Sequence, residues 1–521
     1  MEKGLPPFPA SQRAKNFYEL FYSKLELEVR EKYDNIVMTS IVATMLITTI
    51  LFAGGNPMFI GRKQELAALE KRYGSGRFEF PVIYGRRRVG KTRLIREFIQ
   101  DKPAVYFMAT EQSKKEQLAN LTAAVREQIP DPQTRLLDSF SSFEGLFAYL
   151  TEVGRHKRLV FVIDEYPYLA KAAPEISSIL QKVIDQEWKD TELYLILCGS
   201  SMSFMERQVL SYQSPLYGRR TAQLKLHALP YYEAVRFFPG WTEEEKMMAY
   251  GICDGIPQYL LYLSHYGNLE EAVCEELLSP SGHLQEEPEN LMLQELREPA
   301  VYNSILTAVA HGASRLHEIA SAVGKDTSGL AFYLKNLQDL ELVRKVQPVE
   351  NTSSRKSLYQ LADNLYRFWF RFIPGCSSLI AMGMGKQAWE QKIRPQFPTY
   401  FGHVFEEIAL QYIQYQVKQG NGYPLYLQYG SWWGTDPRKR REEEIDLVCT
   451  DEENILCGEC KWKREPMDLP VLRLLQERSE LVRKGRKIQY ALFSRAGFTP
   501  RLETEARKEN VRLLTPGDLL V

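Results

Sequence analysis

The property that the sequence most clearly lacks is a net charge. It contains 66 Lys and Arg residues against 66 Asp and Glu residues, so its formal net charge at pH 7 is +0. Without an excess of either sign, bulk electrostatics does not draw the chain to nucleic acid or to a membrane surface. Any such site must therefore be a local patch.

Histidine and cysteine are also scarce, with seven residues of each. The histidines show no motif spacing, and no Ser/His/Asp arrangement is evident. The cysteines are scattered, several of them in apolar strand-like runs, which argues against a disulfide framework and favours a reducing cytoplasm. Cys457 and Cys460 form a C-x-x-C pair, but no second Cys/His pair lies at a usable spacing, so we predict no zinc site.

A long uncharged run is present near the N-terminus, at residues 36–53. It is close to the minimum length for a membrane-spanning helix, but it begins too far into the chain and lacks the cleavage site of a signal peptide. Three interpretations remain open: a membrane anchor, a buried helix or strand, or a mis-called upstream extension covering residues 1–57. Met58 looks like a natural start, and Gly54-Gly55 could be encoded by a ribosome-binding GGAGG sequence. We therefore favour the third interpretation.

The most informative motif is a complete G-x-x-x-x-G-K-T phosphate loop. Its fixed positions are Gly85, Gly90, Lys91 and Thr92. An apolar run precedes it and a helix-like segment follows, which is the setting that the motif requires. The glycines let backbone N–H groups turn toward a polyphosphate, and the helix N-terminus adds its positive dipole end. Lys91 is predicted to reach the β- and γ-phosphates of ATP, and Thr92 to complete a Mg²⁺ shell.

Two adjacent acids follow a later aliphatic run. The run at residues 158–163 is typical of a buried parallel strand, and Asp164 and Glu165 follow it directly. Acids at the carboxyl end of such a strand lie where the ligand crevice forms. We expect Asp164 to hold Mg²⁺ and Glu165 to orient or deprotonate the attacking water, with a capped turn as the alternative.

Further strands are predicted at residues 104–108, 193–198 and 222–226. Ser200 follows the second of these and either senses the γ-phosphate or caps a helix. Arg219 and Arg220 lie in a glycine turn, where they either reach a neighbour's γ-phosphate as an arginine finger or form a solvated basic turn. Both alternatives remain open in each case.

Residues 58 to about 265 resemble the AAA+/STAND-type P-loop ATPases, in particular an archaeal and bacterial ATPase group. The matching segments are residues 59–62, 65–66, 85–92, 159–165, 199–201 and 216–220. Pro257, within Gly255-Ile256-Pro257, resembles the Gly-x-Pro of the helical lid, where such proteins contact bound nucleotide. The resemblance implies an ATP-driven conformational switch built on a parallel sheet.

Residues 301–361 show three helical patterns followed by two strand patterns. This order is typical of a winged helix–turn–helix, similar to many DNA-binding domains. Its third helix is expected to present Asp326, Thr327, Ser328 and Tyr333 outward, which is less basic than usual. The alternative is an interdomain spacer. The aromatic-rich stretch at residues 364–372 is predicted to be core.

A second group of acids lies beyond residue 396. Glu406 is on a helical pattern, Asp446 on a predicted strand, and Glu459 and Lys461 on the next strand. Residues two apart in a strand share a face, so Glu459 and Lys461 project together, and Asp446 can meet them from an adjoining antiparallel strand. Two carboxylates and a lysine suit metal-assisted phosphodiester hydrolysis, in which the acids hold Mg²⁺ and Lys461 positions or activates water. Salt-bridged exposed strands are the alternative.

This region resembles the PD-(D/E)XK nuclease superfamily, in its ATPase-associated branch with an EIDLV…GECKW signature. The resemblance assigns Asp446, Glu459 and Lys461 to the core motif and Glu406 to the helix acid that often joins the metal shell. Ile445 stands where the superfamily's name has proline. Trp432-Trp433 and residues 437–441 offer a stacking surface and a positive patch for nucleic acid, although such a charge run is usually a solvated loop.

The sequence therefore predicts a multidomain α/β protein with a P-loop ATPase sheet, a helical lid, a winged helix and a C-terminal restriction-endonuclease-like domain. The predicted boundaries are an extension at 1–57, the ATPase core at 58–235, the lid at 236–298, the winged helix at 299–362, a helical linker at 363–395 and the nuclease-like domain at 396–521. The predicted function is a cytoplasmic ATPase coupled to a Mg²⁺-dependent nuclease that acts on DNA. The alternative is a nucleotide-dependent switch that binds nucleic acid without cutting it. A homo-oligomer is compatible with both, and membrane contact is expected only if residues 36–53 are genuine and inserted.

Overall fold

The structure is a computed structural model that describes residues 59–129, 138–350 and 356–520. Residues Ile60–Val521 form a compact unit that contains both candidate sites. The predictions for residues 1–57, including the uncharged run, lie outside the described residues. Among the residues that are described, no helix is both long enough and apolar enough to cross a membrane.

The first sheet is parallel and has the strand order β2-β3-β4-β1-β5. Its strands are β1 (Pro81–Tyr84), β2 (Ala104–Met108), β3 (Leu159–Asp164), β4 (Leu193–Gly199) and β5 (Ala222–Lys225). Strands β1, β3 and β4 are buried along their whole length, because helices cover both faces of a parallel sheet. Their carboxyl ends lie at one edge, so the phosphate loop, Asp164 and Ser200 follow neighbouring strands.

Helices surround this sheet. They are α1 (Lys63–Tyr73), α2 (Lys91–Ile99), α3 (Lys114–Gln128), α4 (Phe143–His156), α5 (Tyr166–Ala172) and α6 (Ile176–Gln186). Short helical turns follow at Trp188–Asp190, Met202–Phe204 and Met205–Leu210. The core is strongly aromatic: Trp188 packs edge-on against Phe147 and Phe161, and its indole N–H donates to Thr151 over 3.0 Å. The buried indole therefore keeps a hydrogen bond, as buried polar groups require.

A helical region follows the sheet. Its main helices are α7 (Glu243–Cys253), α8 (Pro257–Leu263), α9 (Leu269–Glu276) and α10 (Glu287–Glu295), after short turns at Tyr231–Ala234 and Val235–Phe237. Helix α7 begins with a capping box, in which Thr242 and Glu245 each accept a hydrogen bond from the other's backbone N–H. Helix α8 has Pro257 at its start, where the missing N–H costs nothing.

Three helices and a hairpin come next, close to the predicted positions. They are α11 (Pro299–Ala310), α12 (Leu316–Val323), α13 (Thr327–Asp339), β6 (Val343–Val346) and β7 (Leu358–Leu361), with β6 and β7 antiparallel. Asp326 caps α13 by accepting the N–H of Gly329 over 2.8 Å. Tyr333 is directed back onto α11, since its hydroxyl donates to Glu298 over 2.7 Å. Phe332, 64% exposed, is the aromatic that faces outward.

The loop of this hairpin packs against the C-terminal sheet. The backbone N–H of Val349 donates to the carbonyl of Ser431 over 2.9 Å, and the Val349 side chain is buried among that sheet's core residues. Glu350 forms ion pairs with Lys484 and Arg486. The hairpin loop is thus bound to the C-terminal part of the chain through Val349 and Glu350.

The remaining elements form the C-terminal part of the unit. They are α14 (Asn364–Phe372), α15 (Phe397–Gln419), β8 (Gln428–Asp436), β9 (Arg441–Thr450), β10 (Asn454–Lys461), α16 (Leu469–Arg483), β11 (Lys487–Ser494), α17 (Pro500–Glu509) and β12 (Arg512–Leu514). Short turns lie at Pro374–Cys376, Ser377–Ala381, Gly385–Ala388, Trp389–Ile393 and Pro516–Leu519. The sheet order is β12-β11-β10-β9-β8, antiparallel from β8 to β10 and parallel from β10 to β12. The aromatic side chains of α14 are buried, as predicted.

Candidate functional site

The phosphate loop joins β1 to α2 and requires glycine at both ends. At Gly85, φ is 152° and a Cβ atom would lie 2.3 Å from the carbonyl oxygen of Leu226, so no larger residue fits. At Gly90, φ is 91° and a Cβ atom would lie 3.6 Å from Cγ of Pro257. The structure thus brings Pro257, at the start of α8, against the loop, whereas its contact with bound nucleotide stays a prediction.

Lys91 is buried within this loop. Its Nζ atom donates to the carbonyl oxygens of Gly85 and Arg86, each over 2.9 Å. Burial lowers the pKa of Lys91, because the charged amine loses water. The ammonium group therefore already lies in the space that the loop encloses.

Thr92 and Asp164 meet across the sheet edge. The Thr92 hydroxyl donates to Oδ2 of Asp164 over 2.8 Å, and Asp164 is almost fully buried. The hydroxyl of Tyr106 donates to the same oxygen over 2.6 Å. The sequence pointed to the first two residues but not to Tyr106, which lies in the middle of β2 and carries no motif signal. Burial, together with the Asp164 carboxylate, raises the pKa of Tyr106.

Glu165 begins α5 with a left-handed backbone, φ 51° and ψ 44°. This conformation costs a non-glycine residue about 1 kcal/mol and recurs at functional sites. Its Oε2 atom accepts hydrogen bonds from the backbone N–H and the hydroxyl of Ser200, over 3.2 and 2.9 Å. Ser200 therefore contacts the acid that follows β3.

Arg219 and Arg220 lie just before β5, at the end of the sheet opposite the phosphate loop. Both arginines bind groups of the ATPase sheet region. Arg219 forms a bidentate ion pair with Asp185 through Nε, at 3.1 Å to each oxygen, and Nη2, at 2.5 Å. Arg220 donates to the carbonyl of Leu210 over 3.1 Å. An arginine-finger role for either residue stays a prediction.

The three arginines inside the phosphate loop each pair with an acid outside the first sheet. Arg86 pairs with Asp363 just before α14, Arg87 with Glu295 over 3.2 Å, and Arg88 with Glu287 over 2.7 Å. The sequence assigned no role to these arginines. Their partners are separated from them by about 200 residues or more, so no local pattern could have found the pairs.

The C-terminal acids and lysine come together as predicted. Nζ of Lys461 lies 2.6 Å from Oε1 of Glu459 and 3.6 Å from Oδ2 of Asp446. The backbone N–H of Cys460 also donates to Oδ2 of Asp446, over 2.9 Å. The convergence arises because β9 and β10 are antiparallel neighbours, with Leu447 opposite Gly458.

Burial sets the electrostatics of this site. Glu459 is only 4% exposed, and its Oε2 atom is buried without a hydrogen-bond partner. Burial and the neighbouring Asp446 raise the pKa of Glu459. Burial opposes ionisation of Lys461, but the two carboxylates outweigh it and raise its pKa. A cation beside Glu459 would therefore relieve an unfavourable carboxylate.

Glu406 reaches the edge of this group from α15. Burial raises its pKa, with Asp446 adding to the effect, and the ring of His403 lies 3.3 Å from its carboxylate. Over the described ranges, however, no three His, Cys, Asp or Glu side chains are grouped closely enough to hold a metal ion. The predicted three-acid metal shell of Glu406, Asp446 and Glu459 is therefore not assembled in this structure.

Arg478, beside the acidic site, and its partner Glu443 carried no sequence signal. Arg478 on α16 donates to Glu443 over 2.8 Å, and its Nη1 lies 3.9 Å from Oε1 of Glu459. The predicted stacking residues, Trp432 and Trp433, are both half-buried in β8. Arg478 lies beside Glu459 only because α16 crosses the second sheet, and no local sequence pattern predicts that crossing.

Two stretches of the chain match known protein families. Residues 59–263 match an ATPase domain found predominantly in Archaea, and residues 369–477 match archaeal and bacterial proteins of unknown function. An uncharacterized protein of Methanocaldococcus jannaschii is 35% identical over 412 residues, which are 78% of this chain and 88% of that relative. The chain belongs to this archaeal ATPase family. Its first sheet, with the phosphate loop, is a P-loop ATPase domain.

A second relative and two solved structures are also similar to parts of this chain. A second protein of M. jannaschii, described as an uncharacterized ATP-binding protein, is 46% identical over 48 residues, 9% of this chain and 81% of that relative. Among solved structures, a Walker-type ATPase of Pyrococcus abyssi shows 22% identity and a TM-score of 0.46, covering 60% of this chain and 96% of its own. The ORC2 protein of Aeropyrum pernix shows 17% identity and a TM-score of 0.45, covering 63% and 96%.

Proposed function

We propose that this archaeal-type ATPase hydrolyses ATP to control a Mg²⁺-dependent, nuclease-like C-terminal domain that acts on DNA. The observation that carries the nuclease part is the meeting of Asp446, Glu459 and Lys461 on two adjacent strands. A buried carboxylate oxygen without a partner costs free energy, about 1–3 kcal/mol or more for a charged group. Such a cost is tolerated at sites that receive a ligand.

The ATPase part rests on the geometry around the phosphate loop. Lys91 can exchange its two loop carbonyls for the β- and γ-phosphates, and Thr92 and Asp164, already in contact, can hold Mg²⁺ between them. Glu165 then orients the attacking water, and Ser200 positions Glu165 through two hydrogen bonds. In a homo-oligomer, Arg219 would have to leave Asp185 to reach a neighbour's phosphate.

Asp446 and Glu459 fit a single Mg²⁺ ion. This ion is usually held by one or two carboxylates, several waters and substrate phosphate, so a closed cage of three acids is not needed. The unpartnered Oε2 of Glu459 supplies a vacant oxygen ligand. When bound, Mg²⁺ polarises the scissile phosphate and lowers the pKa of a coordinated water. Lys461, within reach of both acids, positions that water or the phosphate.

We assign residues 299–362 to a winged helix, because three helices precede an antiparallel hairpin there. Its hairpin loop is bound to the C-terminal sheet through Val349 and Glu350, which favours the spacer role over direct DNA reading. DNA contact is then expected at the C-terminal domain, near Trp433 and the basic residues that follow it. The remaining domain boundaries stay as predicted from the sequence.

A second candidate function is a nucleotide-dependent switch that binds nucleic acid without cutting it. One observation favours it: Nζ of Lys461 lies close to both carboxylates, so part of their negative charge is balanced without a metal. In that case the acidic site stabilises the domain, and the ATPase controls binding alone.

A cleavage assay separates the two candidates. We expect full-length protein to cut DNA only with Mg²⁺ or Mn²⁺, and Asp446→Asn or Lys461→Ala to abolish cutting while ATP hydrolysis continues. Glu452→Gln, an acid-to-amide change at the exposed β9–β10 turn, is the matched control and should cut normally. Single- and double-stranded DNA and RNA are each tested with ATP, with a non-hydrolysable analogue and without nucleotide. Absence of cutting under all these conditions would favour the switch.

A further inference from the structure

The phosphate loop is tied to a helix outside the ATPase sheet by a buried ion pair. Arg86 and Asp363 are 8% and 2% exposed, and their side chains form a direct ion pair. The guanidinium also lies over the ring of Tyr366, 5.1 Å from its centroid. Separating a buried ion pair leaves two uncompensated charges and is therefore costly. We thus expect the phosphate loop and the start of α14 to move together.

Asp363 also determines how α14 begins. Its Oδ1 atom accepts the N–H of Tyr366 over 2.9 Å and so caps the helix, while Oδ2 binds Arg86. The Arg86 carbonyl in turn accepts a hydrogen bond from Lys91 over 2.9 Å. One residue therefore joins the first turn of α14 to the loop that encloses the nucleotide phosphates.

One turn further along, α14 binds the helix that carries Glu406. Nη2 of Arg367 donates to Oε1 of Glu407 over 3.0 Å and to the carbonyl of Leu361 over 2.6 Å, and Arg344 of β6 also pairs with Glu407. Adjacent residues on a helix project in different directions. Glu407 thus faces α14, whereas Glu406 faces Asp446.

Two donors in this network are not used. Nη2 of Arg86 and Nη1 of Arg367 are both buried without a hydrogen-bond partner. Unsatisfied buried donors are costly, so an arrangement of α14 that pairs them would gain hydrogen bonds. Coupling between distant sites requires an element with two such arrangements.

We propose that Asp363 transmits the occupancy of the phosphate loop, through α14 and Glu407, to the acidic site of the C-terminal domain. Nucleotide phosphates draw Lys91 away from the Arg86 carbonyl, Arg86 and Asp363 shift with the loop, and Arg367 carries the shift to α15. The proposal rests on the proposed function, since it takes the acidic site as the output. It requires no cleavage to be tested.

The test is hydrogen exchange of α15, residues 397–419, in full-length protein with and without a non-hydrolysable ATP analogue. We expect the analogue to change exchange in α15 of the wild type. Asp363→Asn keeps the helix cap but loses the charge, and it should bind the analogue while the α15 response disappears. Glu295→Gln, which removes the partner of Arg87, is the matched control and should keep the response.

Glu407→Gln provides the second variant, because it touches no residue of the loop. It should abolish the α15 response even if Asp363→Asn proves unable to bind nucleotide. Reciprocity also predicts that Glu407→Gln changes the Kd of the analogue, by about fivefold or more for a coupling of ordinary size. An unchanged α15 response in Glu407→Gln, or no response in the wild type at saturating analogue, would overturn the proposal. A protein that cuts no nucleic acid but passes this test would fail only the proposed function.

Discussion

The buried acid Asp254 should make the stability of this ATPase depend on pH in an unusual direction. It lies at the end of α7, where Oδ1 accepts the N–H of Gly255 over 2.6 Å and Oδ2 accepts the N–H of Asn364 over 3.1 Å. Burial, with Asp363 adding its charge, raises the pKa of Asp254 from 3.8 to about 7. The folded protein therefore holds this proton more tightly than the unfolded chain.

The sign and size of this pH dependence follow from the linkage between proton binding and folding. A raised pKa in the folded state gives stability that is fully present below the unfolded value and is lost as pH rises through the folded value. For Asp254 the loss runs from about pH 4 to about pH 7, with a slope of at most about 1.4 kcal/mol per pH unit. Over that window the effect is at most about 4 kcal/mol.

The assay is urea unfolding of the wild type and Asp254→Asn across this pH range. The amide keeps an acceptor for Gly255 but turns an N–H₂ group toward Asn364, at a cost of about 1–3 kcal/mol that does not depend on pH. The advantage of the wild type should therefore shrink as pH rises. Asp185→Asn is a control of opposite sign, because Arg219 lowers the pKa of Asp185. A difference in stability between wild type and Asp254→Asn that stays constant with pH would show that the pKa of Asp254 is not raised in the folded protein.

Three further predictions concern the nucleotide site. Lys91→Ala should abolish binding of a fluorescent ATP analogue, because Lys91 is the group proposed to exchange its two loop carbonyls for the β- and γ-phosphates; retained ATP turnover would refute the motif assignment. Glu165→Gln should keep ATP binding but lower kcat by at least about a hundredfold, whereas Ser200→Ala, which only loosens Glu165, should lower kcat less and leave KM nearly unchanged. Tyr106→Phe removes a hydrogen bond to Asp164 and should destabilise the protein by about 1 kcal/mol and raise the Mg²⁺ concentration needed for hydrolysis, measured by unfolding and by Mg²⁺ titration.

The sequence predicted the parts of both sites that depend on local geometry. The phosphate loop is recognisable because strand, loop and helix are consecutive, and Asp164 because it ends an aliphatic strand. Glu459 and Lys461 could be paired because alternate residues of a strand share a face. The parallel ATPase sheet followed from the same aliphatic runs.

The rest depends on contacts between distant parts of the chain. Arg86 and Asp363 are 277 residues apart, and nothing in either segment indicates the other. Arg478 reaches Glu459 only because α16 crosses the second sheet. Tyr333 was predicted to face outward, but its hydroxyl binds Glu298. Helix periodicity alone could not determine this, since a tyrosine at the edge of a helix face can turn toward solvent or toward a neighbour.

We propose that Asp446 and Glu459 form a divalent metal site controlled by the ATPase. Its most direct test is a titration of nucleotide-free, full-length protein with Mn²⁺, followed by electron paramagnetic resonance, because it needs no knowledge of the substrate. We predict that the wild type binds one more Mn²⁺ ion per chain than Glu459→Gln, and that Thr92→Ala retains this ion. Equal Mn²⁺ stoichiometry in the wild type and Glu459→Gln would show that Glu459 holds no metal ion.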